Sequence, residues 1–108
     1  MKTHIFYKIE EARTVARRLM GLMGRRHWPS RYNGLFFPSC RSVHTWFTFV
    51  RLDLIFFDDE GKIIRVFEKT KSWSVFWALN AKHCLEIPAG LVMRRKINVG
   101  DRIRLNTI

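Results

Sequence analysis

Acidic residues are scarce in this chain. Nine Asp and Glu stand against 20 Lys and Arg in 108 residues, a formal charge of +11 with His neutral. Such a balance bears on partners and solubility rather than on fold. It favours anionic partners, among them nucleic acid, anionic lipid and acidic proteins. Cysteine is scarcer still, with Cys40 and Cys84 44 positions apart. Two cysteines are too few for a disulfide framework, and their spacing is not that of a zinc ribbon. They read as two reduced thiols with at least one buried; the alternative is a single bridge in an oxidising compartment. Long apolar runs are missing as well. The longest, Val75 to Leu79, has five residues, against the ~18 that a spanning helix needs. The N-terminal stretch Met1-Lys2-Thr3-His4-Ile5-Phe6 has no apolar core followed by a small-residue cleavage site, so no signal peptide is read there and a cytoplasmic location is expected.

Apolar residues, in contrast, are plentiful: 47% hydrophobic and 14% aromatic. That is enough to build a core and to exclude a disordered chain, and the length suits one domain over residues 1–108. His4 to Glu10 alternates weakly, with Ile5, Tyr7 and Ile9 on one side, as a first strand would. From Ala12 the period lengthens. Val15, Ala16, Leu19, Met20 and Met23 follow helical spacing, Thr14 can cap the start and Gly24 can close the end in the left-handed conformation, so a short amphipathic helix is predicted over Val15 to Met23. Trp28 to Gly34 is a loop punctuated by Pro and Asn-Gly. Strand character then dominates: Leu35 to Phe37, Ser42 to Val50, Leu52 to Phe57 (apolar on both faces), Lys62 to Glu68 as its hairpin partner across Asp58 to Gly61, His83 to Ile87 and Arg102 to Leu105. Lys69 to Lys82, with Trp73 and Trp77 four apart, reads equally as a helical turn or as an aromatic loop over the core. The result is one mostly β domain with one helix.

Polar residues in the apolar β region are the candidates for chemistry. On a continuous strand His44, Trp46 and Thr48 would share a face, placing His44 and Thr48 in a cleft with Cys40 nearby. Cys40 and His44 are too few for a structural metal site, and His27 and His83 lie in unrelated segments; the ordinary reading of His44 is a hydrogen-bonded structural imidazole. Asp53 interrupts the run Val50 to Phe57 and must find partners if buried, Arg51 or His44 among them. Glu86 sits in the same way between Leu85 and Ile87. Two such carboxylates could form a hydrolase pair if both opened on one pocket. No Gly-x-Ser-x-Gly elbow or cysteine-protease signature accompanies Ser39, Ser42 and Cys40. Arg17, Arg18, Arg25 and Arg26 form one basic cluster and Arg94 and Arg95 another; with the tryptophans they could hold single-stranded nucleic acid if they shared a face.

Three stretches together resemble the domain of unknown function 192 family. Arg18-Leu19-Met20-Gly21-Leu22-Met23-Gly24 is similar to its helix with a Gly-Leu-Met signature. Gly34-Leu35-Phe36-Phe37-Pro38-Ser39-Cys40-Arg41-Ser42-Val43-His44-Thr45, leading into Leu52-Asp53-Leu54-Ile55-Phe56-Phe57-Asp58, resembles its central block. Leu85-Glu86-Ile87-Pro88-Ala89-Gly90 and Val99-Gly100-Asp101 resemble its closing elements. The resemblance implies a compact antiparallel β-sandwich or barrel, jelly-roll-like, with a helix packed on it near the N-terminus, and implies almost nothing about chemistry. Two positions depart from the family pattern: Thr48 stands where relatives usually carry Met, and Arg51 where they usually carry Pro.

The reading that follows is a non-enzymatic binding or accessory module, with no cofactor or metal. Its polar cleft, formed by Cys40, His44, Thr48, Arg51 and Asp53, would take an anionic small ligand or peptide. Sequence-tolerant nucleic-acid binding through the Arg clusters is the alternative, and a hydrolase using Asp53 and Glu86 the second.

Overall fold

Eight strands and a short helix follow one another in the computed structural model, which describes residues 1–14, 17 and 21–108. They are β1 (Thr3–Glu11), β2 (Gly34–Phe37), β3 (Ser42–His44), β4 (Leu52–Phe57), β5 (Ile63–Phe67), β6 (Val75–Trp77), β7 (His83–Pro88), α1 (Leu91–Arg94) and β8 (Arg102–Thr107). Six of them form one sheet in the order β5-β4-β7-β2-β1-β8, and β3 and β6 pair separately. The expected antiparallel sheet is therefore mixed: β1 runs parallel to both of its neighbours, β2 and β8. The intervening segments are long enough for such parallel connections, which a hairpin cannot make.

The sheet is buried on both faces, and β4 shows why its sequence is apolar throughout. Leu52, Leu54 and Phe56 enter one core with Leu35, Phe37 and Cys84. Ile55 and Phe57 enter a second with Ile63, Leu85 and Ile87. Alternate side chains of a strand point to opposite faces, so each core needs half of β4. The first core is covered by Leu22 and Tyr32 from the long β1–β2 connection and by Val43 and Phe76 of the small sheet. The second is covered by Val92 of α1 and Ile97.

The structure describes one helix in full, α1; the helix expected over Val15 to Met23 lies largely outside the described residues. Of its predicted ends, Thr14 Oγ1 does accept the Arg17 N–H at 3.0 Å, and Gly24 has φ 76°. The phase of β1 is also reversed in its first half. His4 and Phe6 are buried while Ile5 and Tyr7 are exposed, because Lys8 adopts φ 60° and the pairing with β8 shifts between Phe6 and Ile9. That bulge turns Ile9 inward and lets one strand change phase midway. Finally, Ser42 to Val50 is not one strand, since β3 stops at His44.

The sheet curls without closing into a barrel. Its edges β5 and β8 meet only at one end, through the bridge Lys62–Arg102; Ile63 N–H donates to the Asp101 carbonyl at 2.8 Å, and Ile103 N–H to that of Gly61 at 2.8 Å. Gly61 has φ +83°, and a Cβ there would lie 2.6 Å from the Ile103 carbonyl oxygen. Gly61→Ala therefore meets both a backbone clash and the left-handed penalty. It should cost about 2 kcal/mol or more, a fall of roughly 10 °C in Tm. An unchanged melting curve would mean that the edges do not touch in solution. Among the described residues no helix is long and apolar enough to cross a membrane.

Candidate functional site

One cavity of about 200 Å³ lies between the first core and the small sheet. Phe37 and Glu86 come to it from β2 and β7, Ser42, Val43 and His44 from β3, and Gly21, Leu22 and Met23 from the β1–β2 connection; Cys40 and Thr48 complete it. The register explains Glu86. Leu54 pairs with Glu86 and Asp53 with Ile87, and paired residues share a face. Glu86 therefore points with Leu54 toward the first core, and Asp53 points with Ile87 toward the second.

Thr48 reaches the cavity by a turn rather than along a strand. Its N–H donates to the Thr45 carbonyl at 3.2 Å, and Phe47 takes φ 59°. Thr45, fully buried, anchors the turn: its hydroxyl donates to the Lys71 carbonyl at 2.6 Å and accepts the Ser74 N–H at 3.0 Å. The Ser72 hydroxyl donates to the Thr48 carbonyl. On the other side Gly24 N–H donates to the Phe47 carbonyl at 2.6 Å, tying the 21–24 wall to the same turn. The cavity is thus framed by segments locked to one another through hydroxyl and main-chain hydrogen bonds.

Two buried polar atoms on its lining residues, Glu86 Oε1 and His44 Nδ1, have no hydrogen-bond partner among the described residues. The third such atom, Thr70 Oγ1, belongs to a residue outside the lining. Burial pushes the Glu86 carboxyl up to about 8, with the Arg17 charge opposing. Glu86 is then a neutral acid at pH 7, able to donate and to accept. Burial likewise pushes the Cys84 thiol well up, with help from Glu86 and Cys40. The His44 ring rests on Trp46, centroids 4.9 Å apart. Cys40 and Cys84 are thiols, and among the described residues no three His, Cys, Asp or Glu gather closely enough to hold a metal ion.

Of the expected cleft residues, Cys40, His44 and Thr48 line this one cavity. Arg51 and Asp53 do not. Arg51 is exposed. Asp53 is fully buried and sealed: Oδ1 accepts the Lys69 N–H at 2.9 Å, and Oδ2 those of Gly90 at 3.0 Å and Val92 at 2.9 Å. The hydrolase pair fails for the same reason, since its carboxylates occupy opposite faces of the sheet. Sequence reasoning placed Glu86 with Asp53 because strand register, which decides the face, is not written in either segment alone. It also missed Gly21, Leu22 and Phe37 as walls.

Arg17 and Arg95, one from each basic cluster, are held by different partners. Arg17 donates to Glu10 at 2.8 Å, to the Gly21 carbonyl at 2.7 Å and to the Tyr32 hydroxyl at 2.9 Å; burial works against its charge, but Glu10 and Tyr32 outweigh it and raise its pKa. Arg95 donates to the Ile5 carbonyl at 2.9 Å and lies 4.1 Å over Phe6. Tyr32 belongs to the first core and Phe6 to the second. Arg25, Arg26 and Arg94 are exposed, and Arg18 lies outside the described residues. Arg17 and Arg95 thus lie beside different cores.

This chain belongs to DUF192, described as an uncharacterised ACR, whose family model matches residues 2–105. It is similar to a solved structure of a protein of unknown function from Novosphingobium aromaticivorans, at 27% identity and a TM-score of 0.75, over 87% of this chain and 71% of that one. It is also similar to a protein from Sinorhizobium meliloti described as a candidate transcription regulator, at 27% identity and a TM-score of 0.76, over 87% of this chain and 78% of that one. No curated protein matches.

Proposed function

We propose, taking membership of that uncharacterised family as the premise, that the chain is a non-enzymatic, cytoplasmic binding module whose 200 Å³ cavity takes a small uncharged polar ligand. The carrying observation is the pair of buried, unpartnered polar atoms, Glu86 Oε1 and His44 Nδ1, on residues that line one cavity. Buried polar groups in native proteins are almost always hydrogen-bonded, so these two call for a guest that supplies the bonds. By size that guest has up to roughly six to eight heavy atoms, since an engineered cavity of about 150 Å³ accepts benzene.

An uncharged ligand fits better than the anion expected from sequence. That expectation leaned on Arg51, which is not in the cavity, and Arg17 is already engaged by Glu10, Tyr32 and Gly21. A neutral carboxyl pairs well with a primary amide, donating to its carbonyl and accepting from its N–H. Thr48, at a position where relatives usually carry Met, adds a hydroxyl to the wall. A ligand-sensing module would also suit a regulator, the role ascribed to the Sinorhizobium protein.

The test is an NMR titration with acetamide. Amide shifts should concentrate at Gly21, Val43, His44 and Thr48 and saturate. Thr48→Val, which keeps the shape and removes the hydroxyl, should weaken binding roughly fivefold. Shifts scattered over the surface, or none at these four residues, would sink the cavity as a ligand site.

A further inference from the structure

Beyond the cavity, the largest unexplained feature is a cluster of aromatic side chains held out of the core by two turns. Phe47 and Trp73 are about half exposed, at 49% and 58%, and both have left-handed backbones, φ 59° and 60°. Bulky residues rarely take that conformation, and when they do the surrounding structure must impose it. Here it does. Trp73 N–H donates to the Thr45 carbonyl at 3.0 Å, beside the Thr45 bonds that fix the 45–48 turn. The two rings meet edge to face at 4.6 Å. Trp46 and Phe49 flank them, and Trp77 follows on β6, all about half exposed. An exposed apolar patch of this kind marks an interaction surface.

We propose that this aromatic tip seats on an anionic lipid bilayer. Charge points to that occupant. Residues 21–52 contain five Arg and no Asp or Glu, and residues 69–85 contain three Lys and no Asp or Glu; the aromatic turns arise from these two stretches. Arg26 lies 5.3 Å over Phe49, and Arg65 5.9 Å over Trp77. Rings that bury at the headgroup level next to cations facing anionic headgroups are what interfacial binding uses. Single-stranded nucleic acid would need ring faces open for stacking. Here Phe49 and Trp77 each have a guanidinium over the ring, Trp46 rests on His44, and Phe47 and Trp73 abut each other. A second copy of the chain would bring together two bodies of charge +11.

Co-sedimentation of the full chain with phosphatidylcholine vesicles, with and without phosphatidylglycerol, tests this. Binding to the anionic vesicles should be at least tenfold tighter, weaken at least tenfold at about 0.5 M NaCl, and shift tryptophan emission to the blue. The double variant Phe47→Gly, Trp73→Gly removes both rings at positions where glycine takes the left-handed backbone without strain. It should melt no lower than the parent yet bind at least tenfold more weakly. The proposal is overturned if the variant binds anionic vesicles as well as the parent, or if the parent does not prefer them. It is also overturned if a single-stranded oligonucleotide displaces the vesicles and itself loses affinity to the variant. A concentration-dependent dimer that the variant abolishes would overturn it too, assigning the patch to self-association.

Discussion

Asp53→Ala is expected to destabilise the fold by about 4 kcal/mol, since three N–H donors, that of Val92 buried and those of Lys69 and Gly90 partly so, lose their acceptor at roughly 1–3 kcal/mol each and water can recover part of the loss. The carboxylate is fully buried, and it binds the chain at three places: Lys69 after β5, and Gly90 and Val92 at the start of α1. One residue of β4 thus holds two connections against the sheet. Asp53→Asn keeps one acceptor oxygen but turns an NH2 group toward N–H donors, so it should lose about half as much. Urea denaturation of both variants measures this. If alanine costs less than about 1 kcal/mol, Asp53 is not the structural clamp described. Acetamide binding at a temperature where the variant remains folded supplies a second readout. It should be unchanged, because Asp53 faces the core opposite the cavity; a lost site would return Asp53 to the binding machinery.

The same residue shows where the sequence is legible and where it stops. An Asp inside Leu52 to Phe57 announces a carboxylate that must be satisfied, but not by what. Its partners are backbone groups 16, 37 and 39 positions away, and their types carry no signature because any residue supplies an N–H. Strands β2, β4, β5, β7 and β8 were legible because β-branched and aromatic runs end at Pro, Gly or Asp. The mixed sheet order was not, since parallel pairing of β1 depends on where a long connection returns. The phase flip in β1 hinges on Lys8, a residue with no preference for positive φ. Cys40, His44 and Thr48 do line one cavity, but the shared strand face expected to bring His44 and Thr48 together is absent, since β3 ends at His44. The turn that brings Thr48 round is fixed by the Thr45 hydroxyl reaching Lys71 and Ser74, and only the folded chain contains that contact.

Glu86→Gln is the complementary case, a buried carboxyl whose replacement should stabilise. Its folded pKa is about 8 against an ordinary 4.5, so folding favours the protonated form. Below pH 4.5 both states carry the proton and the group has no cost. As pH rises through that value the unfolded chain ionises while the folded chain does not, and stability declines until the folded carboxyl also ionises near pH 8. At pH 7 the accumulated cost is about 3 kcal/mol, at 1.36 kcal/mol per unit. Glutamine has nearly the same shape and cannot ionise, so the variant should match the parent near pH 4.5 and exceed it by about 3 kcal/mol at pH 7. Urea titrations at both pH values decide the matter. A difference that does not change with pH would mean that Glu86 finds a charge-stabilising partner in solution. That would remove the neutral acid on which the amide-binding cavity depends. The stability given up at Glu86 near neutral pH is not offset by any hydrogen bond to its Oε1 among the described residues. A stability cost of this kind at a residue lining a cavity is characteristic of functional sites.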